Sequence, residues 1–229
     1  MEQNNTSVFE GQNRSRKVFL VLYIVLFYAA WAFKEAFLTK LITGNGSINP
    51  NVLYLIAGGI KILLWVVPVF IFLRYIDRQS PLSYLKLNKK VLKGLFWGLF
   101  ICSAYIAVSL VRGYVTGGLN VNLSLTLDEW LNTIILAGFT EEIVFRGFIL
   151  QKIEEFLDFK WANVITSVLF IFIHFPRWYF SEGKILFSSI LSVFVLGIAF
   201  GYTFRKTGSI WSSMIFHAAN NFIVLAILS

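Results

Sequence analysis

Seven long apolar stretches limit the folds open to this chain more than any other feature. Each approaches the roughly 20 apolar residues that a helix needs to cross a bilayer. The 229 residues are 57% hydrophobic and only 14% charged, whereas about a quarter of the residues in a soluble domain are charged. The sequence therefore predicts an all-α, polytopic transmembrane helix bundle with about seven spans, at 18–40, 52–74, 94–115, 130–151, 161–176, 185–204 and 209–228.

The basic residues predict the orientation of this bundle. Most of the twenty Lys and Arg fall in segments that an N-inside topology places in the cytoplasm, above all between Arg74 and Lys93. This arrangement accounts for the net charge of +8 without a nucleic-acid partner. The polar N-terminus leads into the first apolar stretch without a clear cleavage site, which is typical of a retained signal anchor. We expect a multi-pass plasma-membrane protein, bacterial in character, with a cytoplasmic N-terminus and the lipid bilayer as its partner.

The basic loop also divides the predicted organisation. Residues 1–93 would form an N-terminal tail, two spans and the cytoplasmic loop, and residues 94–229 a membrane-embedded core with a site between the C-terminal four helices. The sequence indicates no oligomeric state. The single cysteine, Cys102, excludes an intramolecular disulfide.

Ionisable residues inside the apolar stretches mark the candidate site. Glu141, Glu142 and Arg146 lie in the fourth span, His174 in the fifth and His217 in the seventh. A charge at the centre of a bilayer is costly, so such groups usually serve a reaction, a relay or a pathway. At about 1.5 Å per residue, Glu141 and His217 lie roughly 13 and 12 Å from the cytoplasmic side and His174 about 20 Å. We expect one polar cavity, open to the cytoplasm, to gather them.

Helical spacing separates the roles of these residues. Glu142 and Arg146 stand at i and i+4, so they share a face and can pair. Glu141 is rotated by about 100° from Glu142, which predicts that it faces the cavity while Glu142 is tied to the arginine. His217 and Asn221 are also at i and i+4, and such a pair of donors suits a developing oxyanion.

Other charged residues and two glycines in the spans are predicted to have structural roles. Lys61 in the second span is interpreted as a lysine whose stem extends toward the interface, and Lys34 with Glu35 as an interfacial pair. Gly197 and Gly201 form a G-x-x-x-G pattern that predicts close helix packing.

At three motifs the chain resembles the CPBP family of intramembrane proteases, which includes CAAX prenyl endopeptidases and bacteriocin-processing or immunity (Abi-type) proteins. Glu141 to Gly147 match its E-E-x-x-x-R-G motif, Phe170 to His174 match F-x-x-x-H, and His217 to Asn221 match a histidine followed four residues later by asparagine. The Gly208-Ser209-Ile210-Trp211 segment before the last helix is also similar. The motifs occur in the family's order within residues 125–228.

The resemblance implies a membrane-embedded, glutamate-type endopeptidase that acts on a membrane-associated peptide or protein. Glu141 would activate water, His174 would hold that water, and His217 with Asn221 would stabilise the oxyanion. Glu142 and Arg146 would form a structural ion pair, and Phe170 would line the cavity. No cofactor is predicted. Family members are often labelled metalloproteases, however, and Glu141, His174 and His217 would be the ligands if zinc is present.

Two functions of other classes stay open at this stage. A bacteriocin-immunity or scaffold protein could carry the same motifs without proteolysis. A small transporter could use Glu141 or Glu142 as a proton relay, but it should show internal pseudo-symmetry and a second set of broken helices. The sequence shows neither.

Overall fold

The protein is a bundle of helices. The computed structural model describes residues 2–39, 41 and 48–227, with side chains from residue 17 onward in these ranges, and every regular element among them is helical. The predicted all-α transmembrane bundle is therefore confirmed.

Nine helices are present among the described residues. They are α1 (Glu2–Phe33, continued by Lys34–Leu38), α2 (Pro50–Ile71, continued by Phe72–Ile76), α3 (Pro81–Tyr84), α4 (Val91–Val115), α5 (Glu129–Leu136, Ala137–Glu142, Ile143–Leu150 and Gln151–Glu154 without a break), α6 (Phe159–Phe172), α7 (Phe175–Phe180), α8 (Phe187–Thr207) and α9 (Ile210–Ala226).

All seven predicted spans coincide with helices. Within the described part of the chain, five helical runs are long and apolar enough to cross a membrane: Lys17–Leu38, Pro50–Ile76, Val91–Val115, Phe159–Phe180 and Phe187–Thr207. The other two predicted spans are α5, which contains the buried acids, and α9, an apolar helix of 17 residues.

Helix α5 lies at the centre of the site, and local hydrogen bonds fix where it begins. The Thr126 N–H donates to Glu129 Oε2 at 2.7 Å, and the Glu129 N–H donates back to Thr126 Oγ1 at 3.2 Å. This reciprocal pair is a capping box, which satisfies amide groups that a helix start leaves without partners. Further along, Glu129–Leu136 and Ile143–Leu150 form wide turns with i→i+5 bonding, a feature that often accompanies functional sites.

The fifth predicted span contains a break next to its histidine. The predicted span ends at residue 176, but α6 ends at Phe172 and Pro176 lies in the first turn of α7. Proline has no N–H with which to continue the helical hydrogen bonding to Phe172, and it is well accepted in a first turn. As a result, His174 lies in the turn between the two helices.

Small residues set the closest helix contacts. A Cβ added at Gly197 would lie 3.0 Å from Ser167, and one at Gly201 would overlap Asn163. The predicted G-x-x-x-G packing surface of α8 is thus confirmed, with α6 as its partner. In the same way, a Cβ at Gly138 of α5 would lie 3.0 Å from the Met214 carbonyl oxygen of α9.

An aromatic cluster joins α1 and α2 to α5. The Trp65 ring stands edge-on to Phe27 and Trp31, each at 4.9 Å between centroids, and it also contacts Phe145 of α5 at 6.3 Å. The first two helices therefore share a hydrophobic core with the helix that carries the acids. The division of the chain at residue 93 stays a prediction.

The contact between α6 and α8 can be tested with alanine at Gly201. Because the added methyl group would collide with the Asn163 amide, Gly201→Ala should destabilise the bundle by about 1–3 kcal/mol, as over-packing usually does. The midpoint of thermal unfolding in detergent measures this. Gly59→Ala is the matched control, since nothing lies within 4 Å of its added Cβ, and an equal loss in both variants would contradict the packing argument.

Candidate active site

The carboxylate of Glu141 contacts two other helices from the middle of α5. Glu141 is 8% exposed. Oε1 accepts a hydrogen bond from Lys61 Nζ of α2 at 3.0 Å, and Oε2 lies 3.8 Å from His217 Nε2 of α9. The second separation exceeds a direct hydrogen bond. Glu141 is therefore held on one oxygen by a cation, and its other oxygen faces the histidine.

The position of Lys61 corrects the sequence interpretation. We expected its stem to extend toward the interface, but the side chain is only 12% exposed and its ammonium group pairs with Glu141. The sequence around Lys61 is apolar and carries no motif, so its partner on another helix could not be identified from local spacing. The one available signal was the cost of a lysine in the middle of a span.

The predicted ion pair of Glu142 and Arg146 is present and fully buried. Arg146 donates to Glu142 Oε1 at 2.8 Å and to the Gly197 carbonyl of α8 at 3.0 Å. The guanidinium carbon also lies over the Phe170 ring, 4.4 Å from its centroid. One arginine thus connects α5 with α6 and α8.

Glu142 has a second partner that helical phase did not predict. His217 Nδ1 lies 3.0 Å from Glu142 Oε1, and because a carboxylate can only accept, Nδ1 is the donor. The two neighbouring carboxylates therefore reach opposite nitrogens of one imidazole, although they leave the helix in directions about 100° apart. The predicted pairing of Glu142 with the arginine is present, and His217 is an additional partner.

Aromatic rings fix the orientation of His217. Its ring stacks on Phe200 of α8 with 4.7 Å between centroids and 17° between planes, and Phe170 lies edge-on at 5.7 Å. Packing on two sides, together with the Nδ1 hydrogen bond, holds Nε2 on the side of Glu141.

His174 is held by the turn in which it lies. Its Nδ1 is 2.9 Å from the Phe170 carbonyl oxygen, so Nδ1 carries the proton and Nε2 is the remaining acceptor of the neutral ring. The ring packs edge-on to Phe170 at 5.1 Å and against Trp178 at 5.4 Å. Trp31 of α1 secures the turn by donating to the Ile173 carbonyl at 2.9 Å.

Asn221 lies one helical turn beyond His217 on α9. Its amide nitrogen donates to the Thr133 carbonyl oxygen of α5 at 2.8 Å, and its Oδ1 accepts from Asn220 at 3.3 Å. The contact with Thr133 was not predictable, because the sequence gives no sign of which backbone carbonyl faces the last helix.

The structure gathers the predicted residues around α5, although their catalytic roles stay predictions. Glu141, Glu142 and His217 are in contact, and the Phe170 ring touches both histidines. Two cavities of about 350 and 590 Å³ lie elsewhere, beside Phe70 and Tyr75 and beside Gln151 and Arg205. The predicted cytoplasmic cavity therefore also stays a prediction.

The same residues do not fit a zinc ion. A catalytic zinc takes three protein ligands directed at one point, and no group of three His, Cys, Asp or Glu among the described residues is placed to hold a metal. The ammonium group of Lys61 lies on Glu141 Oε1, and His217 Nδ1 is bonded to Glu142.

Comparison with known proteins finds similarity to one protease family. Residues 123–223 match the model of the family described as Type II CAAX prenyl endopeptidase Rce1-like. No curated protein and no solved structure matches the chain. The family match includes all three motifs and confirms the predicted relationship to the CPBP/CAAX intramembrane proteases. It implies CAAX-type endopeptidase activity within a membrane.

The buried arginine gives a direct test of how the site is held together. Arg146→Met leaves the Glu142 charge buried without the arginine that pairs with it. This change should destabilise the protein by about 3–5 kcal/mol. Arg205→Met is the control, because the pair of Arg205 with Glu154 at 2.7 Å is half exposed on the arginine side and such pairs contribute about 0–1 kcal/mol. Unfolding in detergent measures both, and similar small losses would contradict the structural role of Arg146.

Proposed function

We propose that the protein hydrolyses a peptide bond in a membrane-associated peptide or protein, using water activated by Glu141. The observation that carries the proposal is the buried Glu141 carboxylate, which faces a histidine of another helix within the segment that matches the protease family. Carboxylate and imidazole are the side chains most often used to move protons in hydrolysis.

The proposed reaction begins with proton transfer to Glu141. The carboxylate takes a proton from water, the water oxygen bonds to the peptide carbonyl carbon, and the carbonyl electron pair moves onto its oxygen. The carbon–nitrogen bond then breaks, and the proton passes from Glu141 to the leaving amine. Because Oε1 is hydrogen-bonded to Lys61, Oε2 is the oxygen that accepts the proton.

His174 is proposed to hold the attacking water. Its Nδ1 proton is committed to the Phe170 carbonyl, so Nε2 can accept a hydrogen bond from water. Since two aromatic rings pack against the imidazole, this acceptor keeps a fixed direction.

His217 and Asn221 are proposed to stabilise the oxyanion. For His217 to donate from Nε2, the ring must carry both protons, while Nδ1 donates to the Glu142 carboxylate. The Asn221 amide nitrogen has two hydrogens: one is donated to Thr133, and the second can reach a ligand. Loss of one such donor typically costs about 2.7–4 kcal/mol of transition-state stabilisation.

The substrate we propose is an unprenylated, membrane-associated peptide or protein at a bacterial plasma membrane. The family description names a CAAX prenyl endopeptidase, but prenylated CAAX tails are not expected at the bacterial plasma membrane that we propose as the location.

Replacement of Glu141 tests the proposal. Glu141→Gln should abolish cleavage while the protein still inserts, because the amide keeps the shape of the side chain but cannot take a proton. The measurement is comparative peptidomics of cells that carry the wild type or the variant. Glu129→Gln is the control, since Glu129 is a half-buried acid at the start of the same helix and glutamine also serves in a capping box.

The outcomes separate the candidate functions. A processed peptide that disappears only in Glu141→Gln supports the protease and names its substrate. An unchanged peptidome, with the phenotype of the wild type retained in the variant, would contradict proteolysis and favour a bacteriocin-immunity or scaffold role. A prenylated CAAX reporter peptide, assayed in vesicles, tests the substrate class separately.

The proposed mechanism also predicts independence from metal. Purified, active protein should contain less than one zinc per chain by elemental analysis, and a chelator should leave its rate unchanged, since protein groups alone supply the base and the oxyanion donors. One tightly bound zinc per chain, with activity lost on its removal, would overturn this part of the mechanism.

A further inference from the structure

The ammonium group of Lys61 is part of the site although α2 lies outside the segment that matches the family. Its Nζ is 3.0 Å from Glu141 Oε1, and both side chains are almost buried, at 12% and 10% exposed. The pair joins residues 80 positions apart in the chain.

The surroundings of Lys61 keep the ammonium group at this position. It lies 5.2 Å from the centroid of the Trp65 ring and 5.9 Å from that of Trp31, within or near the range of cation–π attraction. Trp65 is fully buried and packs against Phe27 and Phe145. The lysine therefore has rigid apolar walls on one side and a single carboxylate on the other.

Lys61 and Glu141 pair deep inside their helices, where a lysine is costly to bury. Lys61 comes about 17 Å along α2 from Pro50, and Glu141 about 18 Å along α5 from Glu129. A lysine at the centre of a spanning helix costs about 2.5–3.5 kcal/mol on insertion scales. Packing alone would be served better by an apolar residue.

The remaining charges near Glu141 do not replace Lys61. His217 donates from Nδ1 to Glu142, and Arg146 also pairs with Glu142. His174 is bonded to a backbone carbonyl. His217 Nε2 lies 3.8 Å from Glu141 Oε2 and is charged only when the ring carries both protons. Lys61 is the permanent cation that donates a hydrogen bond to Glu141.

We propose that Lys61 is the positioning residue for Glu141, fixing Oε1 and keeping the carboxylate ionised so that Oε2 takes the proton from water. The inference rests on the proposed role of Glu141 as the base. It extends the working site from the C-terminal helices to α2 and makes the first part of the chain necessary for activity at neutral pH.

Infrared spectroscopy of protein in lipid vesicles tests the charge effect without a substrate. The carbonyl stretch of protonated Glu141 is assigned by its absence in Glu141→Gln and is followed as a function of pH. In Lys61→Met the carboxylate should hold its proton to higher pH, by about 1–3 pH units, the size of effect that a nearby opposite charge exerts. Lys61→Arg should restore most of the wild-type titration.

Lys34→Met is the matched control, because Lys34 also pairs with an almost buried acid, Glu35, at 2.9 Å. It should leave the Glu141 titration unchanged. If Lys61→Met does not insert, Lys61→Gln takes its place. A titration of Glu141 that is the same with and without the Lys61 charge, or that shifts equally in Lys34→Met, would overturn the proposal.

The rate of cleavage of the peptide found by peptidomics supplies the second readout. In Lys61→Met the acidic limb of the pH–rate profile should move to higher pH, in step with the infrared titration. The rate of cleavage at neutral pH should then fall at least tenfold, and Lys61→Arg should restore that rate. An inactive Glu141→Gln beside a Lys61→Met with the wild-type profile would refute the role of Lys61 alone. A Glu141→Gln that cleaves at the wild-type rate would instead refute the proposed function.

Discussion

The hydrogen bonds at one oxygen of Glu142 hold the site together. Glu142 Oε1 accepts from both Arg146 and His217, and the arginine continues to the Gly197 carbonyl of α8. Three helices are thereby fixed to one another inside an apolar bundle, where an unpaired charge would be far more costly than in water. The close approach of α8 to α6 at Gly197 and Gly201 brings the carbonyl within reach of the arginine.

The charges of the site balance in two pairs. Lys61 compensates Glu141, and Arg146 compensates Glu142, while His217 lies between the two carboxylates. Buried charges in a membrane protein usually pair with one another or line a functional path, and here each carboxylate has its own cationic partner. The proposed base and its structural neighbour can therefore be adjacent in sequence.

Periodic features were predictable from the sequence, whereas contacts between distant helices were not. The spans, the Glu142–Arg146 pair and the G-x-x-x-G surface follow from spacing along one helix, so the sequence predicted each of them. Lys61 and Thr133 find their partners on other helices, at points that no local pattern specifies. Helical phase also gave no sign of the contact between Glu142 and His217, because an imidazole presents nitrogens on two sides and can bridge acids that leave their helix in different directions.

One helix of the site is short for a bilayer. Helix α9 has 17 residues, or about 26 Å at 1.5 Å per residue, against roughly 30 Å of hydrocarbon. Lipid beside α9 must thin, or the helix ends must lie below the headgroups, and each ångström of mismatch costs a fraction of a kcal/mol. Either adjustment shortens the path of water to the buried carboxylates, so the acyl-chain length of the surrounding lipid becomes a physical variable of the site.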